Sequence, residues 1–373
     1  MKSALFAAAA ALAAVSTAHA QAPAGPPLAP KEPVVDDYYG TKITDDYRWM
    51  EDRRAPRFEQ WLRAENAYAR GVLDRIPGRE ALQARIAAHT GGGAAVAGVK
   101  QAGGTVFYQK RLPGEDSYKL YVRGPDGAER LLVDPDVHAT PGHHFALDYY
   151  EPSNDGSRIV YGISPGGSED SVIHVLDVAT GKEAAETIDR VEDANPSWRA
   201  DDRAFYYNRF AKLGPNATDT DKYLNSRAYL HVVGTDPETD KPLIGTGVQG
   251  SLPVTPVDYP FVQAYAGSPY MLAVISHGAD PASTVYVAKA RADGSTTPWV
   301  KVVDVDDKVS NVVPHGDRLY LVSYKDTPRR RVLAVSADAP DLAKAEVVVP
   351  AGERVIQDIG ASADALYVTD LDG

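Results

Sequence analysis

A chain of 373 residues with a formal net charge of -12 and no cysteine excludes several classes at once. Without cysteine there is no disulfide framework, no thiol nucleophile and no thiolate metal site. The acidic balance argues against nucleic acid or an anionic membrane as partner.

Residues 1–20 read as a secretory signal peptide. Lys2 supplies the positive start, Ala4 to Val15 is a short apolar run, and Ala18-His19-Ala20 fits a small-x-small cleavage site before Gln21. The expected location is therefore periplasmic or secreted. No second long apolar run follows, which predicts a soluble mature chain. Residues 21–33 form a Pro/Ala-rich stretch without periodicity and read as a flexible linker.

Residues 34–92 form an aromatic, acidic opening segment followed by helices. Asp45-Asp46 before Tyr47 reads as a turn. Phe58, Trp61, Leu62, Tyr68 and Leu73 fall near helical spacing and predict a helix over Arg57 to Leu73. A second is predicted from Arg79 to His89, after Pro77-Gly78 and before Gly91-Gly92-Gly93.

From residue 93 to 373 the pattern is short strands between turns. Five strand pairs are legible: Thr105 to Lys110 with Tyr118 to Arg123, Arg158 to Ile163 with Val172 to Val178, Arg203 to Asn208 with Ala228 to Val233, Tyr270 to Ile275 with Thr284 to Ala288, and Arg318 to Ser323 with Arg331 to Ser336. Polar turns such as "SNDG" at Ser153, "RADD" at Arg199 and "PHGD" at Pro314 precede them. The recurrence, roughly every 45 to 65 residues, matches a four-stranded propeller blade better than a β-sandwich. A sixth pair starts at Val355 and Ala365, so the expectation is a mainly β protein with an incomplete propeller of about five and a half blades. An open edge there reads as part of a longer design. Tyrosine outnumbers phenylalanine 21 to 7, which suits strand faces that pack a ring and keep the hydroxyl wet.

Catalytic motifs are missing. There is no G-x-S-x-G elbow, H-E-x-x-H pair, Walker loop or dinucleotide fingerprint, and no cofactor or metal is expected. Ser168 in "GGSED" reads as a turn residue, and His138, His143 and His144 read as loop or strand residues rather than ligands. Asp219, Asp221, Asp236, Glu238 and Asp240 read as solvated loop acids, lacking the spacing of a calcium loop.

"VVDDYYGTKITDDYRWMED" at Val34, followed by "WLRAENAYA" at Trp61, resembles the start of the prolyl oligopeptidase family of serine peptidases. "ALDYYEPSNDGSRIVYGISPGGSED" at Ala146 and "NPSWRADDRAFYYNRF" at Asn195 are similar to the family's second and third blades. The resemblance implies a seven-bladed propeller joined to an α/β-hydrolase domain that cleaves short peptides after proline with a Ser-Asp-His triad. It also implies that the opening segment packs on that domain, burying Tyr38, Tyr39, Tyr47 and Trp49. No position here matches a catalytic residue of the family. By similarity the stretch from Arg190 to Trp198 faces the substrate, with Arg190 and Asn195 as substrate-gating candidates; the competing reading makes them ordinary blade-edge residues.

The implied partners are short proline-containing peptides and the chain's own hydrolase domain. This chain alone is expected to be inactive. A stand-alone periplasmic propeller acting as a binding module, and a truncated product without function, are the alternatives.

Overall fold

The structure is a computed structural model and describes residues 25–90, 93–215, 217–291, 295–362 and 364–372. Residues 1–20, read from the sequence as a signal peptide, and the first part of the predicted linker lie outside the described residues. Contacts divide the chain into two compact units, residues 1–92 and 93–373.

The first unit opens with a hairpin, Val34–Tyr38 paired with Thr41–Asp45. Its two-residue turn, Tyr39-Gly40, has positive φ at both positions, 53° and 89°. This is the turn geometry whose twist matches that of paired strands, and Asp37 caps it by accepting from the Gly40 N–H at 2.7 Å. Asp45 forms the expected turn, accepting from the Tyr47 N–H at 2.8 Å and from Arg48 Nε at 2.9 Å. The helices run Pro56–Leu73 and Arg79–Thr90.

Trp49 is buried within this unit. Its ring meets Trp61 edge-on at 6.1 Å, Arg57 lies over it at 5.3 Å, and its indole N–H donates to Pro30 O at 2.8 Å. The end of the predicted linker is therefore tied down: Glu32 N also donates to Asp46 O at 2.9 Å. Tyr38, Tyr39 and Tyr47 are exposed in this chain.

The second unit is a run of antiparallel sheets in chain order. The first joins Ala95–Ala102, Thr105–Arg111, Lys119–Arg123 and Glu129–Val133. The second joins Phe145–Pro152, Arg158–Pro165 and Val172–Asp177. Its outer edge carries a broken fourth run, bridged at Leu176 to Glu183 and at Ile173 to Ile188. The third joins Ser197–Trp198, Ala204–Arg209, Arg227–Val232 and Pro242–Gly245. The fourth joins Tyr259–Ala264, Tyr270–Ser276, Ser283–Lys289 and Val300–Val303. The fifth joins Val309–His315, Arg318–Ser323, Arg331–Ser336 and Glu346–Val349. Val355–Ala361 and Leu366–Leu371 pair as a last, two-stranded sheet. This is the blade arrangement of a propeller, with each sheet meandering outward from its first strand.

The middle strands explain the packing. Successive side chains of a strand point to opposite faces. Ile159 and Tyr161 enter the core shared with the first sheet, whereas Val160 enters the core shared with the third. Phe205 and Tyr207 face the second sheet, while Tyr206 faces the fourth. Leu321 faces the fourth sheet and Val322 the last. Both faces are dry, so these strands read as near-continuous apolar runs.

Polar pins cross the sheets. Tyr161 donates to Glu183, which also faces His174 Nδ1 at 3.2 Å. One sheet on, Tyr207 donates to Asp240 at 2.8 Å, and His231 Nδ1 lies 2.9 Å from the same carboxylate. Both tyrosines are fully buried, so their hydroxyls satisfy carboxylates rather than water. One of the predicted solvated acids is corrected here: Asp240 is buried beneath these donors, while Glu238 stays exposed and pairs with Arg190 and Arg209. A loop acid gains such partners only when the next strand folds back over it. Asp236 caps a short helical turn, accepting from Glu238 N at 3.0 Å.

Turns staple neighbouring sheets. The "SNDG" turn docks on Asp202 of the "RADD" turn: Asn154 N donates to its carboxylate at 2.8 Å, Asp155 N at 3.1 Å, and Arg158 to its carbonyl at 3.0 Å. On the other side the turn lies against Gly103, where an added Cβ would sit 1.9 Å from Asp155 O at a φ of +55°. Gly104 has positive φ too, with nothing within 4 Å. Gly103→Ala is expected to cost about 2 kcal/mol or more in urea unfolding, and Gly104→Ala about 1 kcal/mol. Equal costs at the two positions would refute the close approach between turns.

Candidate functional site

The first strands of sheets one to four surround a cavity of about 650 Å³. Lys100 comes from the first sheet, Tyr149, Tyr150 and Glu151 from the second, Trp198 from the third and Gln263 from the fourth. Asp193 and Asn195, on the segment entering the third sheet, complete the wall.

The wall is held by bonds between sheets. Lys100 donates to Tyr150 O at 2.9 Å and to the Glu151 carboxylate, and its ammonium lies over the Tyr150 ring at 5.3 Å. The Trp198 indole donates to Glu151 O at 3.0 Å. Ser197 Oγ accepts from Ala264 N at 2.9 Å, and Tyr149 donates to Val191 O at 2.7 Å. Burial pushes the Glu151 carboxyl up, and the Lys100 ammonium opposes that shift without cancelling it. Asp193 is exposed, yet desolvation by the surrounding wall pushes its carboxyl up, against a hydrogen bond from Asn195.

The two residues singled out from the sequence are separated by the fold. Asn195 lines the cavity, held at a φ of 47°, with its amide 3.4 Å from Asp193 O. Arg190 is not among the lining residues. It donates to Asp189 at 3.0 Å and to Glu238 at 2.7 Å, and its carbonyl accepts from Phe210 N at 2.9 Å. Arg209, almost fully buried, joins the same two carboxylates and donates to Asp189 O at 3.1 Å. Burial would raise Asp189, but its bonds to Arg209 and Arg190 hold it below the usual carboxylate range. Arg190 thus belongs to an ion-pair network that fixes the approach to the third sheet.

The stretch from Arg190 to Trp198, read from the sequence as substrate-facing, supplies Asp193, Asn195 and Trp198 to the cavity, whereas Lys100 and Glu151 were not singled out. "DYYEP" at Asp148 was a visible signal, since two tyrosines and an acid in succession place a polar group on each face of a strand.

A second arrangement invites a catalytic reading. His277 Nδ1 lies 2.7 Å from Asp258 and its Nε2 lies 2.9 Å from Thr284 Oγ1. Nucleophile, base and orienting acid require such a chain, but they also require an open position for the reacting atom. Thr284 is buried within its strand, and its hydroxyl also lies 3.4 Å from Asp304. The chain ties together one end of all four strands of the fourth sheet and is structural. Among the described residues no three His, Asp or Glu side chains come together as a metal site, and no helix is long and apolar enough to cross a membrane.

The Glu151 shift sets the sign of a pH effect. A carboxyl raised in the fold contributes stability below its unfolded value and loses it as pH rises through the folded one. Glu151→Gln has no such loss. Its melting temperature relative to the unmodified chain is expected to move in its favour by about 1–3 °C between pH ~4 and ~7. A drift in the opposite direction in differential scanning fluorimetry would show that the Lys100 pair outweighs burial.

The family model described as "Prolyl oligopeptidase, N-terminal beta-propeller domain" matches residues 26–373. A prolyl endopeptidase of Elizabethkingia meningoseptica is 27% identical over 311 residues, which is 82% of this chain and 42% of that protein. Prolyl oligopeptidase A of Amanita bisporigera is 22% identical over 349 residues, 82% of this chain and 43% of that one. The chain spans less than half the length of these curated relatives. A solved structure from an analysis of two prolyl endopeptidases and their inter-domain dynamics superposes with a TM-score of 0.78 at 27% identity, covering 92% of this chain and 49% of that one. Prolyl oligopeptidase B from Galerina marginata superposes at 0.75 and 17% identity over 94% of this chain and 54% of that one, a likeness of fold alone. By the match over 26–373, the chain belongs to the prolyl oligopeptidase N-terminal β-propeller family.

Proposed function

We propose that this chain is the N-terminal and propeller portion of an exported serine endopeptidase that cleaves short peptides after proline. The observation that carries the reading is the family match across residues 26–373, with relatives named as prolyl endopeptidases that are over twice as long as the matched region. The propeller gates access: peptides reach the reacting centre past the inner-strand cavity, and folded proteins are too wide to follow. Asn195 lines that path, and Arg190 keeps its wall in place through Asp189 and Glu238.

The chemistry itself, serine acylation with histidine as base and aspartate orienting it, belongs to an α/β-hydrolase domain and not to any residue of this chain. The exposed tyrosines of the opening hairpin are the surface this reading assigns to that domain. The partners are short proline-containing peptides and the hydrolase domain, without nucleic acid, membrane, metal or cofactor.

The purified 373-residue chain is expected to show no turnover of a Gly-Pro chromogenic reporter above the buffer rate. Sustained turnover that survives repurification would overturn the assignment of catalysis elsewhere. Export predicts a second result: N-terminal sequencing of the native protein begins at Gln21, whereas retention of Met1 would place the protein inside the cell.

A further inference from the structure

The cavity between the inner strands carries an unbalanced charge. Apart from its tyrosines, its ionisable wall residues are Lys100, Glu151 and Asp193: one cation against two anions, a formal balance of -1. Lys100 is already committed to Glu151 and to Tyr150 O. Asp193 is left with the amide of Asn195, and among the described residues no ammonium or guanidinium group pairs with its carboxylate. Neighbouring acids are accounted for: Glu192 pairs with Lys222 at 3.2 Å, and Asp148 accepts from Ser164 at 3.0 Å and from Ser171.

The surroundings suit a cation with an organic stem. Tyr149, Tyr150, Trp198 and Tyr265 contribute to the wall, and aromatic faces attract ammonium and guanidinium groups. Pro152 and Pro196 add apolar surface without donors. We propose that this cavity takes the cationic group of a short peptide, a lysine or arginine side chain or a free N-terminus, onto the Asp193 carboxylate. The inference rests on the reading of the propeller as a peptide path and adds to it a preference for basic over neutral or acidic peptides. Asp193 is exposed, so an incoming cation can reach its carboxylate, and the pair is expected to be sensitive to salt as exposed ion pairs are.

Direct binding tests it without catalysis. Two fluorescein-labelled hexapeptides of one proline-containing sequence, differing only by lysine or norleucine at a single position, are titrated with the purified chain by fluorescence anisotropy. The lysine peptide is expected to bind about fivefold tighter at low ionic strength. The gap closes as salt rises, because screening acts on the ionic part alone. Asp193→Asn, which keeps the Asp193 carbonyl that accepts from Tyr259, is expected to erase the preference and leave norleucine binding unchanged. Equal affinities in the unmodified chain, or a preference that survives Asp193→Asn or is unmoved by salt, would overturn the charge inference alone. Absence of binding by either peptide would overturn the peptide path together with it.

Discussion

The burial of both faces of the second to fifth sheets against their neighbours governs the rest of the second unit. A single meandering sheet of four strands leaves two apolar faces wet. In the second to fifth sheets each face is dried by the sheet before or after it, so Ile159 and Val160, adjacent in sequence, stabilise different interfaces. Each fully buried aliphatic or aromatic side chain contributes roughly 1.5–3 kcal/mol, and every interface collects several of them. The sheets are consequently interdependent, and none has a core of its own.

Stacking of this kind leaves a polar problem at three places, and the sequence answers each differently. At the tips, turns bond to turns, as Asn154 and Asp155 do to Asp202. On the middle strands, tyrosines buried away from water find carboxylates, as Tyr161 finds Glu183 and Tyr207 finds Asp240. On the inner strands, backbone and side chains of adjacent sheets share donors, as Trp198 does with Glu151 and Ser197 with Ala264. The cavity is what remains where the inner strands diverge. Its unpaired acid is therefore a choice of side chain, not a consequence of the fold.

Among the described residues, the second unit offers a cavity with specific polar groups and no activated nucleophile. The first unit satisfies Trp49 internally yet leaves Tyr38 and Tyr39 exposed on a hairpin with a tight turn.

Much of this protein was determined by local pattern. The two helices, the middle strands of each sheet and the order of turns follow from periodicity and turn residues, because strands such as Arg158–Pro165 are apolar throughout and bounded by Asx-type turns. The innermost and outermost strands, such as Ala95–Ala102 and Glu129–Val133, were not legible. They are short or exposed on one side, and their alternation is too weak to stand out from a loop. The site inherited that limit. Asn195 and Asp193 share a stretch that a family motif singled out and Glu151 sits in the visible "DYYEP" run, but Lys100 comes from a first strand with no such signal. Only the tertiary structure decided that Lys100 spends its charge on Glu151 while Asp193 keeps its own, and that Arg190 turns away into an ion-pair network. Electrostatic partnership depends on distance in space, and residues dozens of positions apart acquire it only when the sheets stack.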